Sequence, residues 1–274
     1  ASKDRTAKLW SAGSGECLRD FAGHGGLVVC IAVSPGGESL LTASYDGGAR
    51  LWRAAAGECF REFCGHCAAV LCAAFSPSGG TVLTSACDGT AKLWSAESGE
   101  LLGSLVGHRG HVVAVAFSPV GPSALTASSD RAAKVWSTQS FECLCTMLGH
   151  RDPVRTAMFS PDGARVLTVS GQRSAKLWSA DSGECVHTFM GHEGLVFSAA
   201  FSPDGAQVAT ASEDLTAILW STESGERLQV LAGHCGWVRS VAFSPDGARL
   251  VTTSHDESAK VWSTSGGECL CTLE

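Results

Sequence analysis

The chain has 274 residues, 45% hydrophobic and 17% charged, with 32 glycines spread through turns, which is the composition of a soluble globular protein. A net charge of −7 disfavours nucleic acid as the main partner, and no apolar run approaches the roughly 20 residues that a membrane-crossing helix needs. Thirteen cysteines without a secretory pattern at the start point to a reducing, cytoplasmic compartment and not to a disulfide framework. Cys17, Cys59, Cys143, Cys185 and Cys269 share one repeat column, and they are expected to be small core residues too far apart to bridge.

Residues 1–22 carry Asp4, Trp10 and one closing strand. At Gly23-His24 a longer unit begins, and it recurs as 23–64, 65–106, 107–148, 149–190, 191–232 and 233–274. Tryptophan marks the period at positions 10, 52, 94, 136, 178, 220 and 262, every interval 42 residues, so one structural unit has been copied with its loop lengths held constant. Residues 1–22 match only the second half of that unit.

The copy at 65–106 shows the elements. Val70 to Phe75 is an almost wholly apolar run, expected of a strand buried on both faces. Ser76-Pro77-Ser78-Gly79 is a turn. Val82 to Ala86 and Thr90 to Trp94 are the second and third strands, joined by a tight turn at Cys87-Asp88-Gly89. A turn ending Ser98-Gly99-Glu100 leads to a fourth strand, Leu101 to Leu105. Four short antiparallel strands per copy, with no helical period between them, predict an all-β array.

Gly65-His66, Ser76-Pro77, Asp88 and Trp94, repeated along the whole chain, resemble the signature of the WD-repeat family, whose units form the four-stranded blades of β-propellers. The literal Trp-Asp pair is absent: Ser follows the tryptophan in six copies and Arg53 in one. The resemblance implies one propeller domain over 1–274, with six complete blades plus a half blade and seven blade positions favoured, in a chain expected to be part of a longer one. It also implies a hydrogen-bonded tetrad in each blade. The members are His24, Thr42, Asp46 and Trp52; His66, Thr84, Asp88 and Trp94; His108, Thr126, Asp130 and Trp136; His192, Thr210, Asp214 and Trp220; and His234, Thr252, Asp256 and Trp262. A His-Asp-Thr group resembles a catalytic triad, but five copies indicate structure, so no catalytic residue, metal or cofactor is assigned. The unit containing His150, Thr168 and Trp178 has Gln172 where the series demands Asp, and it is expected to be the least stable complete blade.

Strand alternation puts the Gly-His loops and Asp turns on one face, and on that face some columns vary freely. The residue before the turn Asp or its Gln replacement reads Lys3, Tyr45, Cys87, Ser129, Gly171, Glu213 and His255. The third residue after each His reads Leu27, Ala69, His111, Pro153, Leu195 and Trp237, and the fifth reads Val29, Leu71, Val113, Arg155, Phe197 and Arg239. Variable columns in a constant frame suit a modular binding surface, and aromatic and Arg side chains dominate binding hot spots. In the family resembled, these columns line the mouth of the central channel. The expected partner-binding set is Tyr45, Leu27, Leu71, His111, Arg155, Leu195, Phe197, Glu213, Trp237, Arg239 and His255.

Arg109, Arg131, Arg151, Arg155 and Arg173 fall in two adjacent units. They either hold an acidic or phosphorylated segment or form a solvated edge partly neutralised by Asp130 and Asp152. Cys64-Gly65-His66-Cys67 imitates a zinc or redox motif, but no second ligand pair follows. The expected function is a noncatalytic scaffold in a multiprotein complex, binding proteins or peptides and neither nucleic acid nor membrane. The alternatives are a structural packing module or an enzyme built on the pair Glu213 and His255.

Overall fold

The computed structural model describes residues 1–273, among which there is no helix. Residues Thr6–Trp10 and Cys17–Ala22 form a two-stranded antiparallel sheet, and the strands that follow form six four-stranded sheets, each made of consecutive strands in sequence order. In the copy at 65–106 the strands are Val70–Phe75, Thr81–Ala86, Thr90–Ser95 and Leu101–Val106, each within one residue of its expected bounds. The chain gathers into two compact units, one of Ala1–Asp130 with Lys134–Leu144, the other of Arg131–Ala133 with the residues from Cys145 onward.

The same packing recurs inside each unit. Leu41, Ala43 and Leu51 of one sheet meet Val70, Ala73 and Trp94 of the next, and Leu167, Val169 and Leu177 meet Val196, Ala199 and Trp220. The periodic tryptophan therefore lies between its own sheet and the preceding one. In the two-stranded sheet Ala7 and Phe21 pack on Leu40 and Trp52, whereas Trp10 has no such cover and is 56% exposed.

Two expectations about burial are corrected. The first strand of each four-stranded sheet is only partly buried, as where Val70 and Ala73 are enclosed and their neighbours half-exposed; the second strand is the enclosed one in all of these sheets but the last, where Arg249–Ser254 alternates. A terminal strand has a ladder partner on one side only, whereas the second strand is flanked on both. The cysteine column is not core: Cys17, Cys59, Cys143, Cys185 and Cys269 are all exposed. They begin the closing strand, at the other edge, and in four of the five it is the fifth residue (Phe21, Phe63, Met147 or Phe189) that takes the buried place, whereas Leu273 is exposed. Among the described residues no disulfide is formed; Cys30 and Cys72, one period apart on first strands, bring their Sγ atoms to 3.7 Å.

Candidate functional site

Five of the six complete units hold their turn by a chain of hydrogen bonds that ends on a buried indole. In the unit 191–232, Trp220 Nε1–H donates to Thr210 Oγ1 at 2.8 Å, and Thr210 lies 2.8 Å from His192 Nε2. His192 Nδ1 faces Asp214 Oδ2 at 2.7 Å, and the Glu193 N–H donates to the same oxygen at 2.9 Å. The indole has only a proton to give, so the hydroxyl accepts it and donates its own to Nε2; Nδ1–H is then left for the carboxylate. The same contacts join His24, Thr42, Asp46 and Trp52; His66, Thr84, Asp88 and Trp94; His108, Thr126, Asp130 and Trp136; and His234, Thr252, Asp256 and Trp262. Burial lowers the pKa of His24, His66, His108 and His192, and the paired carboxylates only partly restore it. Burial alone would raise Asp88, but hydrogen bonds from Thr90, His66 and Cys67 hold it down to about 2.

A family model described as WD domain, G-beta repeat matches residues 15–53, 57–95, 99–137, 141–179, 183–221 and 225–263. The chain belongs to the WD40 repeat family. The match supports a β-propeller built of four-stranded blades and a general role in protein interaction. No curated protein matches alongside it.

The WD40 unit 149–190 departs from its siblings. Thr168 still joins Trp178 Nε1 at 2.7 Å to His150 Nε2 at 2.6 Å, but the buried His150 Nδ1 has no hydrogen-bond partner. The Gln172 amide lies near enough to the ring to favour its protonated form, yet outside hydrogen-bond geometry. Burial, and then the positive charge of Lys176, push His150 down to about 4. The backbone has changed as well. The residue after the turn carboxylate is left-handed in the other units (Gly47 at φ 87°, Gly89 at 80°, Arg131 at 74°, Leu215 at 71°, Glu257 at 67°), but Arg173 is not. An Asp carboxylate accepts the N–H two residues on and pins that turn, as Asp46 does for Gly48 at 3.0 Å; Gln172 makes no such bond. Ser170 Oγ, whose counterparts Ser44, Ser212 and Ser254 each accept the turn Asp N–H, is buried without a partner.

The variable columns are physically tied in five units. Tyr45 N–H donates to Leu27 O, Cys87 to Ala69, Ser129 to His111, Glu213 to Leu195 and His255 to Trp237, each at 2.9 Å. In the first compact unit Tyr45 and His111 are exposed, Leu27 and Leu71 are half-buried, and His111 Nδ1 lies 2.7 Å from the Cys87 carbonyl. In the second, Phe197 and Trp237 of adjacent WD40 repeats come together with ring centroids 6.1 Å apart. His255 lies against the other side of this group, 5.2 Å from Trp237, and the Arg239 guanidinium sits 4.3 Å over the Phe197 ring. Trp237 remains 42% exposed. Glu213 Oε2 is engaged by the Leu195 N–H at 3.3 Å, and Arg155 lies apart from the aromatic group, beside Gly171 and Asp152.

Sequence reasoning passed over Lys176 and Thr188, and read Asp152 only as a charge that partly neutralises the arginines. Arg151, Arg173 and Lys176 line one cavity of about 710 Å³ together with Gln172 and Thr188. Asp152 stands in a column that otherwise reads Gly26, Ala68, Gly110, Gly194 and Gly236, and it is the one charged residue there. Reading the copies down that column would have shown the exception.

Proposed function

We propose that this WD40 chain is a noncatalytic scaffold that captures partner proteins or peptides on the face carrying the Gly-His loops and Asp turns, the face expected at the channel mouth. The reading rests on one observation. Phe197, Trp237, His255 and Arg239 form a contiguous aromatic and cationic group in columns the fold leaves free, and Trp237 is partly exposed at its centre. Such groups supply most of the energy in protein interfaces, whereas a solvated surface gains nothing from stacking them. Glu213 and His255, the one acid and imidazole pair the sequence offered for an enzyme, are each occupied, Glu213 by the Leu195 N–H and His255 by the Trp237 ring, which favours docking over chemistry.

The test is affinity capture with three baits: the unaltered chain, Trp237→Ala with Arg155→Glu, and Glu226→Lys in the turn at the other end of the strand Thr216–Ser221 from Asp214. The double variant is expected to lose specific partners by roughly thirtyfold or more, the range of a hot-spot loss, with a melting curve that barely moves. Equal capture by all three would overturn the reading. Loss only with Glu226→Lys would assign the role to that other end of the sheet.

A further inference from the structure

The cavity beside Gln172 has a counterpart in the first compact unit at the same repeat positions. There a cavity of about 530 Å³ is lined by Asp46, Arg50 and Glu62, with Gly25, Gly47 and Gly48. Three periods on, Asp46 has become Gln172, Glu62 has become Thr188, and Arg50 has become Lys176, while Gly25 and Gly47 have become Arg151 and Arg173. Two carboxylates and one cation have been exchanged for three cations, and no carboxylate lines the cavity among the described residues. The nearby acid, Asp152, lies on the Gly171 side and makes no bond to His150.

The tetrad explains what this cavity lacks. In five units one carboxylate oxygen accepts from the His Nδ1–H at 2.7 to 2.9 Å, and the N–H of the next residue donates to the same oxygen. In the unit 149–190 the Thr168 contact at 2.6 Å fixes the same tautomer, so His150 keeps a proton on Nδ1 with nothing to receive it. A buried donor without an acceptor is costly, and the cavity that Gln172 lines carries three cations, Arg151, Arg173 and Lys176.

We propose that this cavity is an anion site that takes a side-chain carboxylate from an acidic peptide segment of a partner, which completes the fifth tetrad in trans. The carboxylate oxygen accepts from His150 Nδ1–H and the Arg151 N–H as Asp Oδ2 does in the sibling units, and Arg151, Arg173 and Lys176 surround its charge. The peptide part of this proposal rests on the docking reading above; the anion site does not.

The deciding measurement uses sodium formate as the probe, against sodium chloride at equal ionic strength, at pH 7. Formate is expected to raise the Tm of the unaltered chain by about 2–4 °C with saturation. It should leave Gln172→Asp, which carries the carboxylate in cis, unmoved, and it should shift the His150 Nδ1–H proton resonance downfield. Formate and chloride shifts of equal size, or an equal response in Gln172→Asp, would overturn the anion site whatever the partner. A second arm titrates a glutamate-rich peptide and its glutamine counterpart. The acidic peptide alone should bind, at least about tenfold more weakly to Arg173→Glu. Formate binding without peptide binding would overturn the partner assignment and leave the anion site standing. A saturating response to inorganic phosphate but not to formate would overturn the carboxylate in favour of a phosphoryl group.

Discussion

Replacing Trp220 with alanine is expected to cost about 3–5 kcal/mol, whereas the same change at Trp237 is expected to cost about 1 kcal/mol or less. Trp220 is buried in the cluster formed by Leu167, Val169, Leu177, Phe189, Val196 and Ile218, and its ring lies 5.4 Å from that of Phe189. Truncation removes a large apolar surface, opens a cavity between two sheets and takes the Nε1–H away from Thr210 Oγ1. Trp237 stacks on partly exposed rings at the surface and anchors no sheet pair. Thermal unfolding of the two variants side by side makes the comparison, with a Tm drop of about 10 °C or more expected for Trp220→Ala and a few degrees at most for Trp237→Ala. If Trp237→Ala were as damaging as Trp220→Ala, Trp237 would be a packing residue and the docking surface would lose its centre. A smaller companion change, Thr210→Val, keeps the shape but strips the hydroxyl that serves both Trp220 and His192, for an expected cost of about 1–3 kcal/mol.

The architecture was legible because period, turn residues and tetrad members all sit at fixed offsets within 42 residues. Val70–Phe75 and Leu101–Leu105 were placed as strands from a few residues of local sequence, and the structure extends the second by one residue. Burial within the sheet was less legible. An apolar run such as Val70–Phe75 reads the same in an enclosed strand as in one with a free edge, and a cysteine reads as core wherever it falls. The candidate site divides in the same way. Trp237 was marked by its departure from the period, and Gln172 by its departure from the tetrad. The stacking of Phe197, Trp237 and His255 unites two repeats and three columns, so it exists only once the sheets are packed. The cationic cavity was hidden for the same reason: Arg151, Arg173, Lys176 and Thr188 come from four places in a repeat, and only their joint comparison with Gly25, Gly47, Arg50 and Glu62 shows the change of sign.

Gln172→Asp should raise stability by about 1–3 kcal/mol at pH 7.5, and the gain should grow as the solution is acidified. Near neutrality the gain comes from giving His150 Nδ1–H an acceptor. The acid dependence follows from the His150 proton. Its folded pKa is about 4, set mainly by burial and then by Lys176, whereas an unfolded histidine titrates near 6.5. Between those values the unfolded chain takes up a proton that the folded chain refuses, so stability is fully present above pH 6.5 and is lost as pH falls toward 4, by an amount on the order of 3 kcal/mol. A carboxylate at position 172 favours the imidazolium and raises the folded pKa, which narrows the gap and shrinks the loss. That carboxylate should stay ionised through the window, as Asp88, at about 2, does in its own tetrad. The other buried histidines, His24, His66, His108 and His192, are lowered in both proteins, so their shared acid sensitivity cancels in the comparison. The measurement is the Tm of both proteins at pH 7.5 and at pH 4.5, with Asp152→Gly combined with Gln172→Asp as a third protein, because glycine stands at that position in four of the other units. The Tm gap should be several degrees at pH 7.5 and wider at pH 4.5, and the combined variant should meet or exceed the single one. A gap that does not widen on acidification would show that His150 is not the group whose proton the fold excludes.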